Sequence, residues 1–360
     1  SVSDFSANRL VGLDIVRGGA IMAVLFAHAR YLVEAPEEFL FLTITGKFGV
    51  ELFFVLSGFL IGAILIRACE RELSTRSLLR FWTRRWLRTL PAYFAVLLFV
   101  WAVFGKVSPY YFFFLQDLVL GSWSILPISW TLVIEEWFYL LFPPTCFVLI
   151  YFSPRWGFFI AALMLLLTSV MLMFDDYSVC AAANNSLDCF ARDIRKYTFR
   201  FTSLGMGAML AYVNHRWGLR ELLSSRLTSM KWATLVVVGF VLLFCGDTIL
   251  NHPGSVPVAW AFALFYPLMG FGSMFIVALM FVWEPKPAKS VANFFTYASV
   301  TSYSCYLWHL MINQQLKVWL VGWNQWLLVA LFFVLALAAG GVSYLIVENP
   351  FLRMRDRLAS

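Results

Sequence analysis

Residues 10–33, LVGLDIVRGGAIMAVLFAHARYLV, form an apolar run long enough to cross a bilayer, yet they carry Asp14, Arg17 and His28 inside it. About 20 apolar residues suffice for a span, so the run reads as a transmembrane helix. An ionisable side chain within such a helix requires a partner or a chemical task, which makes this run a site as well as an anchor. Eleven helical residues separate Arg17 from His28, about 1100° of rotation and a rise of about 16 Å. The two side chains therefore share one face at two depths. Asp14, three residues before Arg17, lies on the same stripe within pairing reach.

The rest of the chain repeats this character. The 360 residues are 61% hydrophobic, 18% aromatic and 13% charged, with a mean hydropathy of +0.79. These values exclude an ordinary soluble domain. Apolar intervals near 11–33, 47–66, 89–105, 129–151, 157–174, 199–213, 232–250, 258–283, 296–316 and 325–347 predict an all-α, polytopic transmembrane bundle of about ten spans. The first span lacks a small-residue cleavage site and reads as a permanent helix, not a signal peptide. With a cytoplasmic N-terminus, the inner side receives Arg9, the cluster from Arg67 to Arg88, Arg155, Arg216 to Lys231, Lys286, Lys289 and Arg353 to Arg357. Both termini are then expected in the cytoplasm. This bias, facing anionic lipid, accounts for the +7 net charge without a nucleic-acid partner. Residues 1–360 read as one integral membrane domain with no fused soluble domain.

Cys69, Cys146, Cys245 and Cys305 fall in or beside spans and read as small apolar packing residues. Cys180 and Cys189 lie in a polar segment on the outer side, 175–197, and are candidates for a disulfide in an oxidising compartment.

Three further segments carry polar stripes. In RSLLRFWTRRWLRTLPAYF (76–94), Arg80, Arg84 and Arg88 recur at helical spacing with Arg85 beside them. This cationic amphipathic helix on the cytoplasmic surface suits multiply charged phosphates; it suits equally a positive-inside anchor against headgroups. In SWTLVIEEWFYLLFPP (129–144), Thr131, Glu135 and Tyr139 share a stripe while Glu136 points elsewhere. An intramembrane carboxylate there reads as a cavity group or as a structural ion pair. In TSYSCYLWHLMIN (301–313), Ser302, Tyr306, His309 and Asn313 line up on one face, the pattern of a cavity wall. His28 is the candidate general base, because neutral imidazole takes a proton near pH 7. No spacing of His, Cys or carboxylates suggests a metal site, and no GxSxG or phosphate-binding glycine loop is present. The stripes alone allow two readings, an enzyme with a buried polar cleft or a transporter or channel with a translocation path.

Six segments taken in order favour the first and leave the second as the alternative. LDIVRGGAIMAVLFAHA (13–29), KFGVELFFVLSGFLIG (47–62), RFWTRRWLRTLP (80–91), SWTLVIEEWFYLLFP (129–143), SYSCYLWH (302–309) and VENPFLR (347–353) resemble acyltransferase family 3, the integral membrane acyltransferases of the O-antigen and exopolysaccharide O-acetylase type. The resemblance covers nearly the whole chain. It implies transfer of an acyl group, acetyl by family habit, from cytoplasmic acyl-CoA as co-substrate to a hydroxyl of an extracytoplasmic or lipid-linked glycan, in the bacterial inner membrane and without a metal. By the same analogy His28, Arg17, Asp14 and Glu135 are catalytic, His28 as base or as acyl carrier. Arg80, Arg84, Arg85 and Arg88 would bind the acyl-CoA phosphates, and Ser302, Tyr306, His309 and Trp130 would line the pore for the acceptor.

Overall fold

The computed structural model describes residues 10–34, 41–105, 107–116, 119, 125–182, 201–250 and 258–357. In chain order the helices are α1 (Val11–Ala29), α2 (Phe41–Arg71), α3 (Thr75–Phe104), α4 (Trp130–Phe152), α5 (Gly157–Ala182), α6 (Phe201–Trp217), α7 (Leu219–Leu223), α8 (Leu227–Leu250), α9 (Val258–Trp283), α10 (Lys289–Trp319), α11 (Gln325–Ser343) and α12 (Asn349–Arg357). One π-helical turn, Tyr344–Glu348, joins α11 to α12. The described residues contain no strand.

Among the described residues, seven stretches are long and apolar enough to cross a membrane: Val11–Leu32, Phe41–Arg71, Thr75–Phe104, Trp130–Phe152, Leu219–Cys245, Leu264–Trp283 and Gln325–Arg357. The chain is an integral membrane protein on this composition. The remaining intervals read from the sequence, 157–174, 199–213 and 296–316, fall on α5, α6 and α10. Gly157–Leu172 is apolar but shorter, and α10 is diluted by its run of Ser, Thr, Tyr and His. Cys189 and the side chain of Cys180 lie outside the described residues, and the expected disulfide lies there with them. Cys69, Cys146, Cys245 and Cys305 are free and buried.

α2 lies at the centre, packed on α6 and α1, and α1 in turn packs on α10. Small residues permit this closeness. A Cβ at Gly58 would run into the backbone carbonyl of Leu204, and one at Gly207 into that of Val55, so α2 and α6 cross in backbone contact. Without a hydrophobic drive between helices in lipid, such close packing is what holds a bundle together. The outer faces are apolar and exposed, as at Leu98, Trp101 and Phe104 on α3 and Trp232, Val236 and Leu243 on α8. On a water-soluble domain these would be anomalous patches; around a bundle they face acyl chains.

One boundary differs from the sequence reading. The basic segment is not a separate surface helix, because it forms the first half of α3 and continues into the third span without a break. Ser74 caps the start by accepting from the Ser77 amide at 3.2 Å, and Gly105, at φ 71°, ends the helix in a left-handed turn. Pro91 lies inside. The arginines therefore enter the bundle on the first half of a spanning helix.

Candidate active site

A cavity opens among α1, α2, α3, α4 and α10. Its polar wall is Arg17 from α1, Ser57 from α2, Arg85, Arg88 and Thr89 from α3, Thr131 and Glu135 from α4, and Ser302, Tyr303 and Tyr306 from α10. Val50, Phe53, Phe54 and Leu132 complete it. About 90 Å³ is open to the centres of water molecules, room for several waters or a narrow chain. Three guanidinium groups face one lining carboxylate, so the chamber is an anion site by charge.

Each arginine is set by its helix. Arg85 and Arg88, three residues apart, share the face of α3 turned to the cavity, whereas Arg80 and Arg84 project to the exposed side. The structure thus brings two of the four expected arginines to the cavity, on the 85, 88, 89 face of α3, and leaves Arg80 and Arg84 outside it. The Arg85 guanidinium stacks over the Tyr139 ring at 4.1 Å and donates to its hydroxyl. Tyr139 in turn shares a 2.9 Å hydrogen bond with Ser57, and its carbonyl accepts from Trp82 Nε1 at 2.7 Å. Arg85 is thereby held flat against α4.

The two adjacent glutamates divide. Glu135 lines the cavity, while Glu136 is buried behind it and accepts from Thr89 Oγ1 at 2.9 Å. The Tyr303 hydroxyl donates to the Thr89 carbonyl at 2.9 Å, joining α10 to the same corner. Asp14 accepts from Ser299 Oγ at 2.6 Å, and the Ser299 carbonyl accepts from Ser302 Oγ at 2.9 Å. Asp14 thus ties α1 to α10 from outside the cavity wall.

His28 does not line this chamber. Between it and Arg17 the same stripe of α1 carries Ile21 and Val24, which are 0% and 1% exposed. His28 lies beyond them against α10, where its Nδ1 is 2.9 Å from the Val24 carbonyl and 3.3 Å from Nε2 of His309. Asn313 Nδ2 donates to the His28 carbonyl at 3.0 Å. His309 is 0% exposed, so it is a buried neighbour of His28 and not part of the cavity wall expected from its stripe. Tyr306 connects the two regions: it lines the cavity, its hydroxyl accepts from Thr131 Oγ1 at 3.0 Å, and its carbonyl contacts His309 Nδ1 at 2.6 Å. Trp130 meets Phe54 edge-on at 6.2 Å, behind the lining residues.

Sequence reasoning missed the histidine pair and the roles of Ser57, Thr89, Tyr139 and Tyr303. The i, i+3, i+4 spacing of Arg85, Arg88 and Thr89 carried a signal for the α3 face; the other contacts cross between distant segments.

The arrangement has known relatives. The O-acetyltransferase OatA of Staphylococcus aureus, in strains NCTC 8325 / PS 47, COL and MRSA252, is 27% identical over 340 residues, covering 86% of this chain and 51% of each relative. The chain spans about half the length of these curated relatives. No solved structure matches it. The sequence profile of acyltransferase family 3, described as an acyltransferase domain, matches residues 10–347. With five motif-bearing helices gathered around one arginine-lined chamber and that match running through all five, the chain belongs to acyltransferase family 3.

Proposed function

We propose that this protein moves an acyl group, acetyl in the simplest case, from cytoplasmic acyl-CoA to a hydroxyl of an extracytoplasmic or lipid-linked glycan. In this reading ten helices span the bacterial inner membrane and both termini face the cytoplasm. The observation that carries the proposal is the convergence of Arg17, Arg85 and Arg88 on one narrow cavity. A chamber with this charge suits a phosphate-bearing donor, and it has room for an extended arm. The O-acetyltransferase relatives support the chemistry.

Arg85 and Arg88 hold the donor's anionic groups at the mouth, with Tyr139 and Ser57 keeping Arg85 in place. Arg17 holds negative charge deeper in the chamber, Glu135 sets the orientation of the guanidinium groups, and Asp14 fixes α1 against α10. Tyr306, Ser302 and Trp130 shape the path toward the acceptor. His28 lies about 16 Å beyond Arg17 along α1, where its imidazole meets the acyl group and the hydroxyl. There it takes the hydroxyl proton as oxygen attacks the acyl carbon and the carbon–sulfur bond breaks; the proton then passes to the departing thiolate. Arg80 and Arg84, on the exposed side, contact headgroups.

Thermal unfolding with CoA tests the donor assignment. CoA at 100 times its dissociation constant adds about 2.7 kcal/mol of stability, which the full chain in detergent reports as a raised melting midpoint. An unchanged midpoint at millimolar CoA overturns the proposal.

A further inference from the structure

We infer that His309 is the positioning residue of His28, orienting its ring so that Nε2 meets the substrates. This rests on the proposed role of His28 and adds to it a partner on another helix.

A carbonyl oxygen only accepts, so a ring nitrogen held against one carries the hydrogen. His309 Nδ1 lies 2.6 Å from the Tyr306 carbonyl; His309 is therefore protonated on Nδ1 and presents a lone pair on Nε2. That lone pair lies 3.3 Å from His28 Nδ1, which also faces the Val24 carbonyl at 2.9 Å. His28 Nδ1–H thus has two acceptors, one on its own helix and one on α10, and the neutral ring keeps Nε2 unprotonated. The rings meet edge-on, 4.8 Å apart at 61°, which brings the two nitrogens within hydrogen-bond reach. Full burial of His309 removes water as a competitor. α10 also grips the His28 backbone through Asn313 at 3.0 Å, so this helix holds the position of the ring and shares the choice of tautomer with the Val24 carbonyl.

The proton balance follows. The acceptor O–H bond breaks and its proton goes to His28 Nε2; the resulting cation keeps its Nδ1–H between the Val24 carbonyl and His309 Nε2. After the new oxygen–carbon bond forms and the carbon–sulfur bond breaks, the Nε2 proton goes to the thiolate sulfur. His309 itself neither gains nor loses a proton, and touches neither substrate.

Two polar variants separate positioning from packing. The amide of His309→Gln reaches the place of Nε2 and offers it an acceptor oxygen, whereas the amide of His309→Asn reaches only the place of Nδ1. Turnover is read as CoA released from acetyl-CoA by the full chain in native membranes, with melting midpoints alongside. His309→Asn is expected to lower kcat by about tenfold or more, as loss of an orienting hydrogen bond to a functional histidine does, with the KM for acetyl-CoA within twofold of the parent. His309→Gln is expected to recover part of that loss. A second readout needs no turnover: diethyl pyrocarbonate should modify His28 more slowly in His309→Asn than in His309→Gln. Equal kcat and equal labelling in the two variants overturn the inference, as does a raised KM at unchanged kcat. His28→Ala distinguishes the two failures. Retained turnover there defeats the role of His28 itself, whereas lost turnover there with unimpaired His309 variants defeats only the positioning.

Discussion

At the scale of single residues, the site is defined by which polar groups the helices turn inward. His28→Ala removes the proton acceptor and should lower kcat/KM by about 10²- to 10⁴-fold with only a small fall in the melting midpoint, since the half-buried ring leaves one buried partner, His309, behind; radiolabelled acetyl transfer measures this. Retained turnover would sink the role. The arginines make a sharper comparison. Arg85→Ala and Arg88→Ala should raise the KM for acetyl-CoA about tenfold with a smaller effect on kcat, as when ground-state and transition-state binding are lost together. Arg80→Ala and Arg84→Ala, exposed on the other side of α3, should leave KM close to the parent value. Four equal effects in steady-state kinetics would return the whole segment to headgroup anchoring.

At the scale of elements, the crossing of α2 and α6 is the most sensitive contact in the bundle. Gly207→Val forces new methyl groups onto the Val55 carbonyl and should destabilise by about 2 kcal/mol or more, since backbones in contact separate only as whole helices. Gly19→Ala meets nothing within 4 Å and should be neutral or stabilising by about 0.5–1 kcal/mol. Melting midpoints in one detergent check both. Similar midpoints would mean the crossing is looser than its geometry. The helices themselves were legible because hydropathy is a property of each segment alone. The run of α3 through its arginines was less legible, because a charged half and an apolar half read as two elements. Contacts such as His28 with His309, Asp14 with Ser299 and Thr89 with Glu136 depend on which helices become neighbours, and periodicity within one helix does not encode that. The stripe on α10 places Ser302, Tyr306, His309 and Asn313 on one face; it did not show that this face meets Asp14 at one level, the cavity at the next and His28 beyond.

At the scale of the whole molecule, the proposed arrangement makes a topological prediction. A fluorescent protein fused after residue 360 should fold and glow, as it does only in the cytoplasm, while alkaline phosphatase at the same point should be inactive. The reverse pattern would invert the proposed donor and acceptor sides. The arginine chamber and the histidine pair sit at different depths, and α1 separates them with Ile21 and Val24, both essentially without exposure. Gly49 on α2 brings that helix close enough for an added methyl to touch Val24 at 3.4 Å. Ile21 and Val24 form a packed apolar partition between two polar levels, so in the proposed reaction the donor's charged groups stay with the arginines and only its thin uncharged arm has to pass.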